Sequence, residues 1–187
     1  RTMLAIADLM GLTGAMSYCL SGVSRAWELE DAHALDIGIK SRRDLLVAEN
    51  IDPWLIRTGW VLTHVRSDLV EDATTRLGLY GRQVKLLLAA QELLRLPVPA
   101  LGALTQPSEI CRRLESYPRQ AVVCALFMMT PTSEDEVVAR KQLVKYIEDY
   151  NTVRSELDGN DLLKLGFKPG PLLGRVRDEL RYLRLDG

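Results

Sequence analysis

Along "VVARKQLVKYIEDYNTVRSEL", residues 137–157, Leu143, Tyr146, Ile147, Tyr150, Val153 and Leu157 recur at steps of three and four. That period puts them on one side of an α-helix but on both sides of a strand, so it predicts a helix with one buried face. Ser133 and Glu136 precede it at capping-box spacing, the hydroxyl placed to take a free amide and the carboxylate to reach back. The same period recurs upstream. Asp52-Pro53 announces a helix through "WLIRTGWVLTHV", Asp68 heads "LVEDATTRL", "GRQVKLLLAAQELLRL" repeats leucine at helical spacing, and Pro107-Ser108-Glu109 opens "ICRRL". Pro97 to Pro99 and Pro131 interrupt the series. Strand-like alternation bounded by hairpin dipeptides is scarce, and "QAVVCALFMM", residues 120–129, reads as a buried helix. "SGVSRAWELEDAHALDIGIKSRRDLL" has the weakest period, and helices are assigned there on that basis. The expected fold is all-α, built of stacked helix pairs, with one helical region over 1–131 and C-terminal helices over 132–187.

Near the end, "GFKPGPLLGRVRDEL", residues 166–180, sets Gly and Pro directly before an amphipathic run. Gly166 closes a helix formed by "NDLLKL" by adopting positive φ, with Phe167 folding back on it. Pro169-Gly170-Pro171 makes a rigid turn, and Pro171 suits a first helical position. From there Leu172, Leu173, Val176, Leu180 and Leu183 share a face expected to be core. Gly174, one turn in, costs about 1 kcal/mol relative to alanine, which points to close approach by another backbone or a ligand. With Gly166 and Gly170 it would let two short helices cross tightly.

The chain has 187 residues, 47% of them hydrophobic, and a formal net charge of −1. This is ordinary globular composition and excludes a globally basic nucleic-acid binder, so any polyanion site must be local. Three cysteines, Cys19, Cys111 and Cys124, lack Cys-x-x-Cys spacing and build neither a disulfide framework nor a zinc knuckle, which fits a reducing cytoplasm. "AVVCALFMM" is about half a membrane-spanning length, and "MLAIADLMGLTGAMSYCL" carries Asp8 and turn-prone glycines, so no membrane segment is expected. The chain begins at Arg1 without an initiator methionine, and it is expected to be a fragment.

Catalytic chemistry finds no foothold. His33 and His64 stand outside any nucleophile-elbow or catalytic-cysteine context, no His-Glu-x-x-His or Asp-x-Asp occurs, and no Walker loop or strand-borne Gly-x-Gly-x-x-Gly is present. No catalytic or metal-ligating residue is assigned. What remains is a set of cations. Arg177, Arg181 and Arg184 fall along one flank of the last helix, spaced to meet successive phosphates, and the amides at its start, beside Lys168, could hold another. Alternatively the flank is solvated and pairs with Asp178 and neighbouring carboxylates. Arg140, Lys141 and Lys145 on the long helix, Arg112 with Arg113, and Lys40 with Arg42 and Arg43 form further basic clusters.

These residues also carry a resemblance. In "LDGNDLLKLGFKPGPLLGRVRDELRYLRLDG", residues 157–187, the order Gly159, Asp161, Leu162, Leu165, Gly166, Pro169, Gly170, Pro171, Leu185 and Gly187 resembles the C-terminal signature of the bacterial tRNA nucleotidyltransferase and poly(A) polymerase family. "PSEICRRL" and "TRLGL" are similar to elements of the same region. The resemblance implies a poly(A) polymerase C-terminal-region-like fold, neck and body helices over 1–131 and a tail over 132–187. It also implies a helical arm that grips tRNA or other RNA 3′ ends. An N-terminal catalytic head outside this chain would supply magnesium and the ATP or CTP pocket, since the head's Gly-Ser-x-x-Arg-x-Asp-x-Asp-like motif is absent here. Two other readings stay open: a helix-hairpin-helix-like module binding duplex DNA through "GFKPGP", and a helical protein-interaction scaffold.

Overall fold

A computed structural model describes residues 29–95 and 100–187. The apolar run at residues 3–20 with Cys19, and the prolines Pro97 and Pro99, lie outside the described residues. Among those described, the regular elements are helices: α1 (Leu29–Ser41), α2 (Arg43–Ala48), α3 (Pro53–Thr63), α4 (Val70–Arg76), α5 (Arg82–Arg95), α6 (Pro107–Leu114), α7 (Arg119–Met128), α8 (Glu134–Glu148), α9 (Gly159–Lys164) and α10 (Pro171–Asp186). Short 3-10 turns occur at Ser67–Leu69 and Tyr150–Thr152. The protein is all-α over this range. None of these helices is long and apolar enough to cross a membrane.

The helix starts follow local chemistry. Pro53, Pro107 and Pro171 each occupy the first turn of a helix, where a missing amide hydrogen costs nothing. Ser133 caps α8, its hydroxyl accepting from the Glu136 amide at 3.3 Å. Asp68 does not head α4 directly. It sits in the 3-10 turn and takes Arg66 in a two-pronged pair at 2.7 and 3.2 Å, which holds its carboxyl below the usual range.

The described residues pack as two compact units, 29–95 with 117–132, and 100–116 with 133–187, so among them the chain passes from one unit to the other at 116/117 and 132/133. In the first unit α7 is the centre, with every residue from Ala121 to Met128 buried against α5, α3 and α1. A helix apolar all round belongs at such a centre. Trp60 of α3 is buried there and donates its indole N–H to Thr130 Oγ1 at 3.2 Å, so its one polar atom is satisfied. The buried Asp36 carboxylate of α1 is offset by Arg57 Nε at 2.8 Å.

The second unit is built from α6, α8, α9 and α10. Ile110, Cys111 and Leu114 of α6 and Ala139, Leu143, Tyr146 and Ile147 of α8 form its core, with Leu101 and Leu162. Gly102 lies where a Cβ would come within 2.9 Å of the Asp135 carbonyl oxygen, so its bare backbone lets this segment close on the start of α8. The helix expected through Leu157 ends at Glu148. Beyond it the chain runs through Asp149, Tyr150, Asn151 and Thr152, residues of low helix propensity, and Thr152 Oγ1 turns back to the Asp149 carbonyl at 2.6 Å. Tyr150, Val153 and Leu157 keep the helical period in sequence and are half-buried in non-helical or 3-10 backbone.

Candidate nucleic-acid interface

The α9–α10 hairpin is assembled from purely local interactions. Asp158 caps α9 by accepting from the Asp161 amide at 2.9 Å, and the Asp161 carboxylate reaches back to the Asp158 amide at 3.3 Å. Lys164 at 3.1 Å joins Asp161, and these contacts together hold that carboxyl below the usual range. At the other end Gly166 has φ 93°; its amide donates to Leu163 O at 3.0 Å and the Phe167 amide to Leu162 O at 3.1 Å, the two bonds of a Schellman closure. Gly170, with φ 156°, then leads through Pro171 into α10. Gly159 and Asp161 thus open α9, while Gly166 ends it and Pro169, Gly170 and Pro171 make the turn, these last two as the sequence leads one to expect.

Two expectations about α10 are corrected. The stripe Leu172, Leu173, Val176, Leu180 and Leu183 is not core: no residue of α10 is buried, and Leu172 and Leu183 are 63% and 68% exposed. Around Gly174 there is no close approach, because an added Cβ would meet nothing within 4 Å. Nor do Gly166 and Gly170 mark a tight crossing. A Cβ on either would also meet nothing, and both serve backbone conformation instead.

The reason lies in other residues of α10, which is anchored to α6 by polar contacts. Asp186 accepts from the Ser108 amide at 2.9 Å and the Ser108 hydroxyl at 2.6 Å, so a carboxylate from the end of α10 caps the start of α6. Arg112 pairs with Glu179 at 2.7 Å and lays its guanidinium 4.2 Å over the Tyr182 ring. Glu115 accepts from Arg181 and, at 2.6 Å, from the Tyr182 hydroxyl. Burial and that hydrogen bond push the Tyr182 hydroxyl well above the ordinary tyrosine range. Beneath this layer the Cys111 thiol is raised by burial to about 11, against the opposing pull of the Arg181 charge.

The expected phosphate contacts now separate. Arg181 has a side chain only 15% exposed, and it donates to Val153 O at 2.8 Å and Tyr150 O at 3.1 Å besides the Glu115 carboxylate. Its donors are committed within the unit. Arg184 spends one donor on Arg154 O at 3.0 Å and is otherwise exposed. Arg177 has only a 3.5 Å contact with neighbouring Asp178. Lys168 and Arg175 are exposed with no partner among the described residues. The start of α10 offers few amides to an anion, since Pro171 has none and Leu173 donates to Gly170 O at 3.1 Å. On α8, Arg140, Lys141 and Lys145 are all exposed, and Lys141 and Lys145 share a strip with Glu134 and Glu148, which balances their charge.

Sequence reading missed the α6–α10 seam. Ser108, Glu115, Glu179, Tyr182 and Asp186 carry no local signature, because their partners lie 66 to 78 positions away. Among the described residues no group of three or more His, Cys, Asp or Glu side chains is placed to hold a metal ion. His33 is exposed, and His64 is half-buried with its Nδ1 3.0 Å from Trp60 O. No protein-family model, curated protein or solved structure matches this chain.

Proposed function

We propose that this chain is the RNA-binding helical C-terminal portion of a template-independent nucleotidyltransferase that adds nucleotides to tRNA or other RNA 3′ ends. The reading rests on the resemblance over residues 157–187 and on the expectation that stacked helix pairs make a poly(A) polymerase C-terminal-region-like body. The single structural observation that supports it is the trio Lys168, Arg175 and Arg177, exposed around the start of α10 and little compensated by carboxylates. Such cations neutralise phosphates and release counterions, which positions a strand without reading its bases. Chemistry belongs to a catalytic head outside this chain, with its magnesium and its ATP or CTP. Cytoplasmic location follows from the same reading.

Binding of the chain to a tRNA acceptor minihelix, compared with DNA duplex of equal length, tests it. The minihelix is expected to bind more tightly, with affinity falling steeply between low and moderate salt. Lys168→Gln with Arg177→Gln should weaken binding and lower the salt slope by about one to two, one unit per lost contact. Equal affinity for DNA would favour the helix-hairpin-helix-like reading, to which the Gly-Pro turn between α9 and α10 lends itself. Absence of both would leave a protein-interaction scaffold.

A further inference from the structure

The apolar stripe of α10 has the spacing and flanking charge of a helix-pairing seam. Leu173, Val176, Leu180 and Leu183 follow one another at steps of three, four and three, which are successive a and d positions of a heptad. In that register Arg177 and Arg184 fall at e, and Glu179 and Asp186 fall at g. In the seam Leu183 is 68% exposed and Leu173, Val176 and Leu180 are half-buried, and on its g flank Glu179 and Asp186 also bond to α6.

We infer that α10 pairs in parallel with α10 of a second copy of this chain. Charge decides the orientation. In a parallel pair each g residue meets the e residue five positions further along the partner helix, so Glu179 faces Arg184 of the other copy, twice by symmetry. An antiparallel pair would set g against g and e against e, carboxylates beside carboxylates and arginines beside arginines. Both groups are placed to respond. Arg112 occupies Oε2 of Glu179, leaving Oε1 for the partner, and Arg184 uses only Nη1 on Arg154 O. At the remaining pair the partner's Arg177 lies along Leu172, whose exposed methyls cover its stem while its charge stays in water. Little more than two heptads bury less than the roughly 1,000 Å² of a lasting interface. The pairing is therefore a concentration-dependent equilibrium.

This inference goes beyond the RNA reading and is tested without RNA. Sedimentation equilibrium of the whole chain should show a mass rising from monomer toward dimer with concentration. Leu183→Gln, at a position already exposed, should weaken association about tenfold or more while circular dichroism and melting stay unchanged. Glu179→Arg and Arg184→Glu should each weaken self-association, one placing arginine against arginine and the other glutamate against glutamate. Mixed in equal amounts, the two variants should associate at least as well as the original chain. A monomer at every concentration, a dimer indifferent to Leu183→Gln, or variants that fail to prefer each other would overturn it.

Discussion

Gly174 and Gly102 occupy opposite situations, and a single added methyl separates them. At Gly174 the backbone is helical and the space beyond it empty, so alanine would restrict the unfolded chain and fill nothing. Gly174→Ala is expected to stabilise the protein by up to about 1 kcal/mol, read as a rise in the urea midpoint with an unchanged slope. At Gly102 the same methyl would meet a backbone oxygen 2.9 Å away, and α8 cannot yield as a flexible side chain would. Gly102→Ala should cost about 1–3 kcal/mol. A destabilised Gly174→Ala variant would mean that the open space is used by something else. Sequence alone distinguishes neither position, since helical period marks Gly174 as odd without saying whether the oddity is contact or vacancy.

At the scale of elements, legibility follows the range of the interaction. The cap at Ser133, the closure at Gly166 and the starts at Pro53, Pro107 and Pro171 depend on residues within a few positions, and each forms where its local chemistry predicts, whereas sequence reading missed the cap at Asp158, which is equally local. Which face of α10 is covered depends on Ser108, Arg112 and Glu115, and no periodicity could reveal that polar pairs would prevail over a leucine stripe. The cations show the same limit: their exposure and partners were not legible, although their types were. Arg181 bridges α10 to Glu115 and to the carbonyls after α8. Arg181→Gln should therefore lower stability by about 1–3 kcal/mol through unpaired acceptors. Arg177→Gln, with no such partners, should leave it within about 0.5 kcal/mol. If the two variants unfold alike, the α6–α10 seam contributes nothing to the folded state.

At the scale of the whole molecule, among the described residues each compact unit buries one free thiol, Cys124 in the first and Cys111 in the second. Burial raises both, Cys124 to about 12 and Cys111 to about 11, from an ordinary value of 9.0. The folded chain therefore holds both protons through a range of pH in which the unfolded chain has released them. A raised acid contributes stability that is complete below its unfolded value and is lost as pH climbs toward the folded one. Stability should then fall from about pH 9 upward, each thiol adding a slope that approaches about 1.4 kcal/mol per pH unit. Tyrosines and lysines titrate in the same range, so the thiol's share is isolated by substitution. Cys124→Ala removes one titrating group from the core of the first unit, and its urea midpoint should decline less steeply than that of the original chain between pH 9 and 10.5. Parallel declines in the two proteins would show that Cys124 ionises as readily folded as unfolded, and that α7 does not form the closed centre of its unit.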